Sequence, residues 1–557
     1  MLDKHAAPMF VRKKRSVRKG VEYEYLQIVR SRREGRKVRQ EVIGTLGRAD
    51  KLLVSGEIDG LLRSLAKFTD KLRVVEANRS PDLEANRSLQ WGPALVFGRL
   101  WENQNIPEVI HKLSLDRKFR FDLERVAFAM ALQKLCEPGS DLAGSQWVTN
   151  VEAPGFRELA LQHFYRTNEF LAEVRSEMEI ELSWRDRDLF SQDFDVMFID
   201  TTSVYMYRDT ENELFKRGHS RDKKPHLPQL VLCVVVNAHG WPVAWEAYPG
   251  NTADVRTLEK MINRFRKRLS IRKAIVVADR GMISKDSIKL LTEYQDAPFK
   301  YVLGCRMRRH KEVSEKVLSR AGRYHCVEDN LEVKEVWVEG RRYIVCRNPI
   351  QARKDKAARE KLLIKLDEII AKQGPKSLVG NRGYSRFLQI EKNSVSINPQ
   401  AVEADARLDG KFVLTTNTEL PPDEVAATYK SLWRVERTFR EQKSTLEVRP
   451  LYHQCPHMAI GHIVSSFLAL RLEVDLQRRL DERKVEVSWP DLMRDLSQVH
   501  SVIIDLEGKR YRLRTSMIGS SYQAFQAAGV RPPETVTLLG PTPLEASIPE
   551  PTQTNLL

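Results

Sequence analysis

The sequence predicts an α/β protein: a mixed sheet flanked by helices, interrupted by a β-rich insertion and preceded by a basic hairpin and a helical region. Three observations carry this expectation. At Asp195 the apolar pattern changes from a helical period to short buried runs that alternate with amphipathic segments. Residues 306–409 break that alternation with a hairpin pattern of their own. Residues 1–50 hold fourteen Lys/Arg against six Asp/Glu, so nearly half of the net charge of +17 sits at the front of a 557-residue chain.

At this length one core cannot serve the whole chain, and several domains are expected. The surplus of 92 Lys+Arg over 75 Asp+Glu selects a polyanionic partner. Six scattered cysteines without a C-x-x-C pair suggest neither a disulfide framework nor a structural zinc site, and fit a reducing cytoplasm. The N-terminus lacks the apolar core of a secretory signal. The most apolar helix candidate, Met458–Val474, carries His462, Ser465, Ser466 and Arg471 and is a poor bilayer span. No G-x(4)-G-K-[ST] loop is present, which excludes the usual nucleotide-fuelled chemistry.

In chain order, "VRKKRSVRKG" reads as a basic arm. The two β-type runs of "YEYLQIVRSRREGRKVRQEVIGTLG" flank a turn at Arg33–Arg36. Residues 1–55 are thus a basic arm and hairpin, which read as a nucleic-acid-binding face in preference to a solvated tail. The short duplication "EANRS" at Glu76 and Glu84 reads as linker beside Pro81. Residues 56–193 are mostly helical, a DNA-binding or linking region; within them "LERVAFAMALQKLCEPG" has an apolar stripe and a Pro-Gly stop.

Residues 194–305 begin the α/β part. "DVMFID" is a buried strand, and "LPQLVLCVVVNAHGWPVAWEAYPG" is two strands around the turn Asn237–Pro242. Helix "VRTLEKMINRFRKRLS", strand "RKAIVVADRG", helix "SKDSIKLLTEYQ" and strand "FKYVLGC" follow. In the insertion, 306–409, a hairpin turns at Glu339-Gly340. A helix then presents Leu362, Leu366 and Ile369 on one face and stops at Gly374-Pro375. Strand "KFVLTTN" reopens the α/β part over 410–480. Residues 481–540 are a candidate dimerisation region, and the Pro-rich end, 541–557, reads as a disordered tail.

Two acids stand at expected strand ends: Asp200 closes "VMFID" and Asp279 closes "AIVVAD". In open α/β sheets, sites form where the backbone turns away at the carboxyl ends of strands. Either Asp alone is as readily a turn or cap residue. A third acid, Glu436, lies in "YKSLWRVERTFREQK", seven residues after Tyr429 and seven before Lys443. Seven residues are close to two helical turns, which on one helix would set Tyr429, Glu436 and Lys443 on one face roughly 10 Å apart. Carboxylate oxygens are the ligands Mg²⁺ prefers.

The order of strand-Asp200, hairpin, helix, strand-Asp279, β-rich insertion and helix-Glu436 resembles the DDE transposases of bacterial insertion sequences. More narrowly it is similar to their insertion-sequence-four class, with its Y-x(2)-R-x(3)-E-x(6)-K signature. Tyr429, Glu436 and Lys443 match that spacing. Leu432 stands at the Arg position, and Arg434 lies two residues on. "GHSRDKKPHLPQ", "YPGNTADVRTL", "VADRGMIS" and "EVRPLYH" also resemble one subgroup, in which Asp is more usual at the place of His226.

The resemblance implies an RNase H-like core in two parts, 194–305 and 410–480. It makes Asp200, Asp279 and Glu436 the catalytic ligands of two Mg²⁺ ions, for which Mn²⁺ can substitute. Tyr429 and Lys443 would grip DNA phosphates, and Arg280, Arg434 and Arg440 are further candidate DNA contacts. Trp433 would hold a base turned out of the stack, or is a core aromatic packed with Leu432 and Phe439. The implied partner is double-stranded DNA, both the element's terminal inverted repeats and its target. The implied assembly is a homodimer that pairs two ends, in a bacterial cytoplasm at the nucleoid. Two rival readings stay open: a metal-dependent nuclease or resolvase on the same core, and a transposase-derived DNA-binding protein without activity. The basic loop Arg217–Lys224 either touches phosphate or is solvated, and Trp337 either reaches DNA or packs. His219, His226, His453 and His457 have no metal-ligand spacing and read as structural.

Overall fold

The computed structural model describes residues 9–18, 21–34, 37–55, 58, 61, 84–189, 196–207, 209–220, 223–267, 274–282, 284–292, 299–308, 311–373, 385–390, 395–432, 435–436, 451–506 and 508–541. The chain divides into two compact units. The first gathers Met1–Leu89, His500–Ser516 and Pro533–Leu557; the second is Gln90–Val499 with Met517–Pro532. Among the described residues no helix is long and apolar enough to cross a membrane.

In the first unit β1 (Met9–Arg18), β2 (Val21–Glu34) and β3 (Lys37–Arg48) form an antiparallel sheet in that order. The expected hairpin is β2–β3. The segment read as an arm is instead a third strand, paired with β2 from Met9↔Arg30 to Arg18↔Val21. Its like charges are tolerated because Lys13 and Arg15 each meet Glu24 across the ladder, at 3.1 and 3.3 Å. β4 (Glu84–Gln90) contains the second "EANRS", which is therefore strand and not linker. The first copy lies outside the described residues.

The second unit is built on a nine-stranded mixed sheet. Its strands are β5 (Val196–Tyr205), β6 (Gln229–Asn237), β7 (Pro242–Pro249), β8 (Ile275–Ala278), β9 (Lys300–Gly304), β10 (His325–Glu328), β11 (Leu331–Val338), β12 (Arg341–Arg347) and β15 (Lys411–Thr416). β13 (Leu388–Ile390) and β14 (Val395–Ile397) pair separately. The order is β10-β11-β12-β15-β9-β8-β5-β6-β7. β7, β6 and β5 run as an antiparallel meander, and β8 and β9 then add parallel to β5. This is the topology of an RNase H-like core. β15 pairs antiparallel with β9 and carries β12, β11 and β10 beyond it, so the hairpin of the insertion extends the same sheet. That hairpin turns where expected: Glu339 (φ 50) and Gly340 (φ 75) both take the left-handed conformation that a tight two-residue turn needs. The long helix Pro349–Gln373 follows and stops one residue before Gly374.

β6 is buried from end to end, as its unbroken apolar run requires. One face of the sheet (Met197, Ile199, Val276, Ala278) packs on the helix Asp254–Lys267 through Leu258, Met261 and Ile262. The other (Phe198, Val204, Val277, Val302, Leu414) joins a core shared with the helical region. There the helix Leu123–Cys136 has no exposed face to match its expected stripe: it is buried from Val126 to Leu135, Gln133 and Lys134 included. It is the central helix of a bundle with Gly92–Asn103, Leu161–Glu173 and the 27-residue Pro456–Glu482. The polar residues that rule out Pro456–Glu482 as a membrane span lie inside. Arg471, 1% exposed at its side chain, makes an ion pair with Asp186 at 2.7 Å, and Trp241 Nε1 donates to the same carboxylate at 3.0 Å.

β16 (His500–Leu506), β17 (Lys509–Arg514) and β18 (Val536–Pro541) return to the first unit and pair with β4 in the order β18-β17-β16-β4. Most of the Pro-rich tail lies outside the described residues.

Candidate active site

β5 and β8 pair in parallel from Val196↔Ile275 to Ile199↔Ala278, so the next residues, Asp200 and Asp279, emerge side by side, one strand spacing of about 4.8 Å apart. Alternation points both to the face of Phe198 and Val277, the face on which Leu432 and Val435 also pack. Asp279 sits beyond the end of its strand, as expected. Asp200 does not: β5 continues through Thr201–Tyr205, hydrogen-bonded to β6 along its whole length. β8 stops at Ala278 while β5 runs on to Tyr205.

Each carboxylate is half-buried and held. Asp200 Oδ1 accepts from the Thr201 amide at 2.7 Å. Asp279 Oδ1 accepts from the Tyr429 hydroxyl at 2.9 Å. The turn after Asp279 is pinned by Arg306, whose guanidinium donates to the carbonyls of Arg280 (2.9 Å) and Gly281 (2.8 Å). The Arg280 side chain itself is exposed.

Tyr429 lies near the end of the helix Pro422–Lys430, its ring stacked near Phe412 at 6.0 Å and its phenol against Gly304. Any Cβ at Gly304 would collide with that phenol, so β9 needs glycine there. Burial and the adjacent Asp279 charge push the Tyr429 phenol far up, which keeps it a proton donor. The hydroxyl expected to grip phosphate faces Asp279.

The helix ends at Lys430, and Ser431 and Leu432 form a turn before Val435–Glu436 resume helical geometry. The described part of the signature is therefore not one uninterrupted helix. Leu432 (6% exposed) and Val435 are buried, while Glu436 is exposed. A core role explains an apolar residue at 432. Trp433, Arg434, Arg440 and Lys443 lie outside the described residues. Asp200, Asp279 and Glu436 are not among the groups of described residues whose ligand atoms all fall within 4.8 Å of one another. The first two are neighbours by register, and the third follows Val435, which packs in the core that Phe198 and Val277 join. As a donor set, three carboxylates fit a hard, oxygen-seeking divalent ion.

One nearby carboxylate escaped sequence reasoning. Asp254 Oδ1 accepts from Thr201 Oγ1 at 2.8 Å, next in the chain to Asp200 but on the opposite face of β5, and Asp254 also approaches Gly281. In "YPGNTADVRTL" it reads only as the start of an amphipathic helix, and nothing local points to Thr201.

The basic loop is internally bound. Lys224 donates to Tyr205 Oη (2.9 Å) and Tyr207 Oη (3.2 Å), and Arg217 to the carbonyls of Asp209 and His226. Trp337 is 59% exposed on β11, so packing does not account for it.

Two family models match. One, described as transposase DDE domain, covers residues 191–472, half of the chain, and includes all three acids. The other, described as IS1634 family transposase, N-terminal domain, covers 11–79, including most of the basic three-stranded sheet. No curated protein matches the chain. With the RNase H-like strand order and the paired aspartates, these matches settle the family: the chain belongs to the DDE transposases of bacterial insertion sequences.

Proposed function

We propose that this transposase cuts the ends of its element and joins them to target DNA at a site made by Asp200, Asp279 and Glu436. The observation that carries the reading is the parallel register that sets Asp200 beside Asp279 on the face bearing Leu432 and Val435. The acids are suited to hold Mg²⁺, or Mn²⁺ in its place. Two such ions, when bound, supply Lewis-acid activation of the attacking oxygen and stabilisation of the leaving oxygen.

The chain's own residues do the rest. The Tyr429 phenol orients Asp279 by donating to one oxygen. Arg280, next to Asp279 and exposed, is available to a phosphate, and Trp337 offers an exposed aromatic surface to an unpaired base. Lys443, Arg434, Arg440 and Trp433 follow Tyr429 closely in sequence and extend the DNA contact. The basic three-stranded sheet binds phosphates without regard to sequence. The signature spacing supports the insertion-sequence-four class, and a dimer pairing two ends fits that class.

The test is strand cleavage of a labelled terminal-repeat duplex in Mg²⁺, and strand transfer of a precut end. Asp200→Ala, Asp279→Ala and Glu436→Ala should each abolish both reactions while DNA binding persists. Full cleavage by any one of them rejects the assignment of that acid.

A further inference from the structure

A second group of potential ligands lies away from the sheet, in the helical bundle. Asp141 begins the helix Asp141–Trp147 yet is turned inward and 3% exposed. His453 comes from the segment that precedes the helix Pro456–Glu482, and His462 from within that helix. One ligand atom from each of the three lies within 4.8 Å of the other two. Asp141 Oδ2 and His453 Nε2 are 3.2 Å apart. Tetrahedral zinc with bonds of about 2.0–2.2 Å has ligand–ligand edges of roughly 3.3–3.6 Å, so this separation is close to the shortest edge.

His462 is the telling residue. It is fully buried, and neither Nδ1 nor Nε2 has a hydrogen-bond partner. A buried imidazole normally satisfies at least one nitrogen, and an orphan costs about 1–3 kcal/mol. Asn168 closes the fourth side. Its Nδ2 donates to Asp141 Oδ2 at 3.0 Å and lies 3.0 Å from His453 Nε2, while its Oδ1 is buried without a partner against Gly461. A half-turn of that amide would bring the oxygen to the position that Nδ2 holds between Asp141 and His453. The nearby cation, Lys134, directs its ammonium to the Gly139 carbonyl at 2.6 Å.

We propose that Asp141, His453 and His462, with Asn168 as fourth ligand, bind a structural divalent transition-metal ion, zinc by donor set and spacing. Two imidazoles and one carboxylate favour zinc over magnesium. The ion would fasten three elements: the Asp141–Trp147 helix, the Leu161–Glu173 helix that carries Asn168, and the segment entering Pro456–Glu482. That segment is also tied to the core strand, since the Leu451 amide donates to the Tyr205 carbonyl of β5 at 3.2 Å. The site thus holds the chain downstream of the Glu436 signature against the bundle.

The test uses the full chain, stripped with chelator and titrated with Zn²⁺ alone and with Co²⁺ alone. An Asp200→Ala/Asp279→Ala double variant removes ion binding at the sheet. It should still take up a single tight equivalent of Zn²⁺, rise in Tm on doing so, and give the intense visible bands of tetrahedral Co²⁺. Adding His453→Ala should abolish all three. Absence of tight uptake by the double variant, or uptake that survives His453→Ala, overturns the proposal. Should His453→Ala fail to fold, the Co²⁺ spectrum of the double variant decides: weak octahedral bands, or none, overturn it.

Discussion

Asp279 and Asp141 are both carboxylates that accept a hydrogen bond from a neighbour, and their surroundings differ in every other respect. Asp279 stands where a short strand stops, half-open, with an exposed arginine beside it and one phenol behind it. Asp141 is sealed between helices with two histidines and an asparagine. An acid that must meet substrate is left partly hydrated and backed from one side, whereas an acid that organises a fold has its solvent replaced entirely by fixed groups. Removing each should therefore fail in a different way.

The largest expected effect lies at the open acid. Asp279→Ala should lower strand cleavage by about a thousandfold, the equivalent of several kcal/mol of transition-state stabilisation, with an unchanged urea midpoint. Asp141→Ala should do the reverse, lowering the midpoint while the remaining folded protein still cleaves. If Asp279→Ala unfolds the chain, the contrast is lost.

The closed polar nodes of the bundle come next. Arg471→Ala would strand Asp186 beside Trp241 in the interior and should cost about 3–5 kcal/mol in denaturant unfolding. Arg471→Met combined with Asp186→Leu should recover much of that loss, because two buried charges are then removed together. A single variant as stable as the parent would show that water reaches the pair.

Acid should sharpen the comparison further. Burial, with Lys134 and His453 nearby, holds His462 well below the ordinary histidine value. The unfolded chain gains a proton below about pH 6.5 that the folded chain refuses, so stability is full above that pH and drains as pH falls towards the folded value. With chelator present, the loss approaches about 1.4 kcal/mol per pH unit, and His462→Gln should flatten it. Urea midpoints taken on either side of that pH read the slope.

The smallest effect is expected at Tyr429→Phe. It removes one hydrogen bond to Asp279 while the ring keeps its place near Phe412 and Gly304, so cleavage should fall about tenfold. A loss as large as that of Asp279→Ala would mean that the hydroxyl acts on the DNA directly.

Much of the fold is legible from local pattern. β6 announces itself by nine residues without a solvated face, and the Glu339-Gly340 turn by its composition. The basic strand Met9–Arg18 was not legible, since five cations in ten residues look like a solvated arm until Glu24 and the β2 backbone are across from them. Nor was the full length of β5, because Thr201–Ser203 has no apolar signal and is strand only through its partner β6.

By itself the sequence determined the family's order of acids, the basic front end and the short apolar runs that Asp200 and Asp279 follow, because each depends on residue type and a short fixed period. Only the tertiary structure decided that the register of β5 with β8 sets Asp200 beside Asp279, that Tyr429 turns to Asp279, and that Asp141, His453 and His462 meet. Those outcomes join residues from 79 to more than 300 positions apart, and no local period records which distant surfaces will pack.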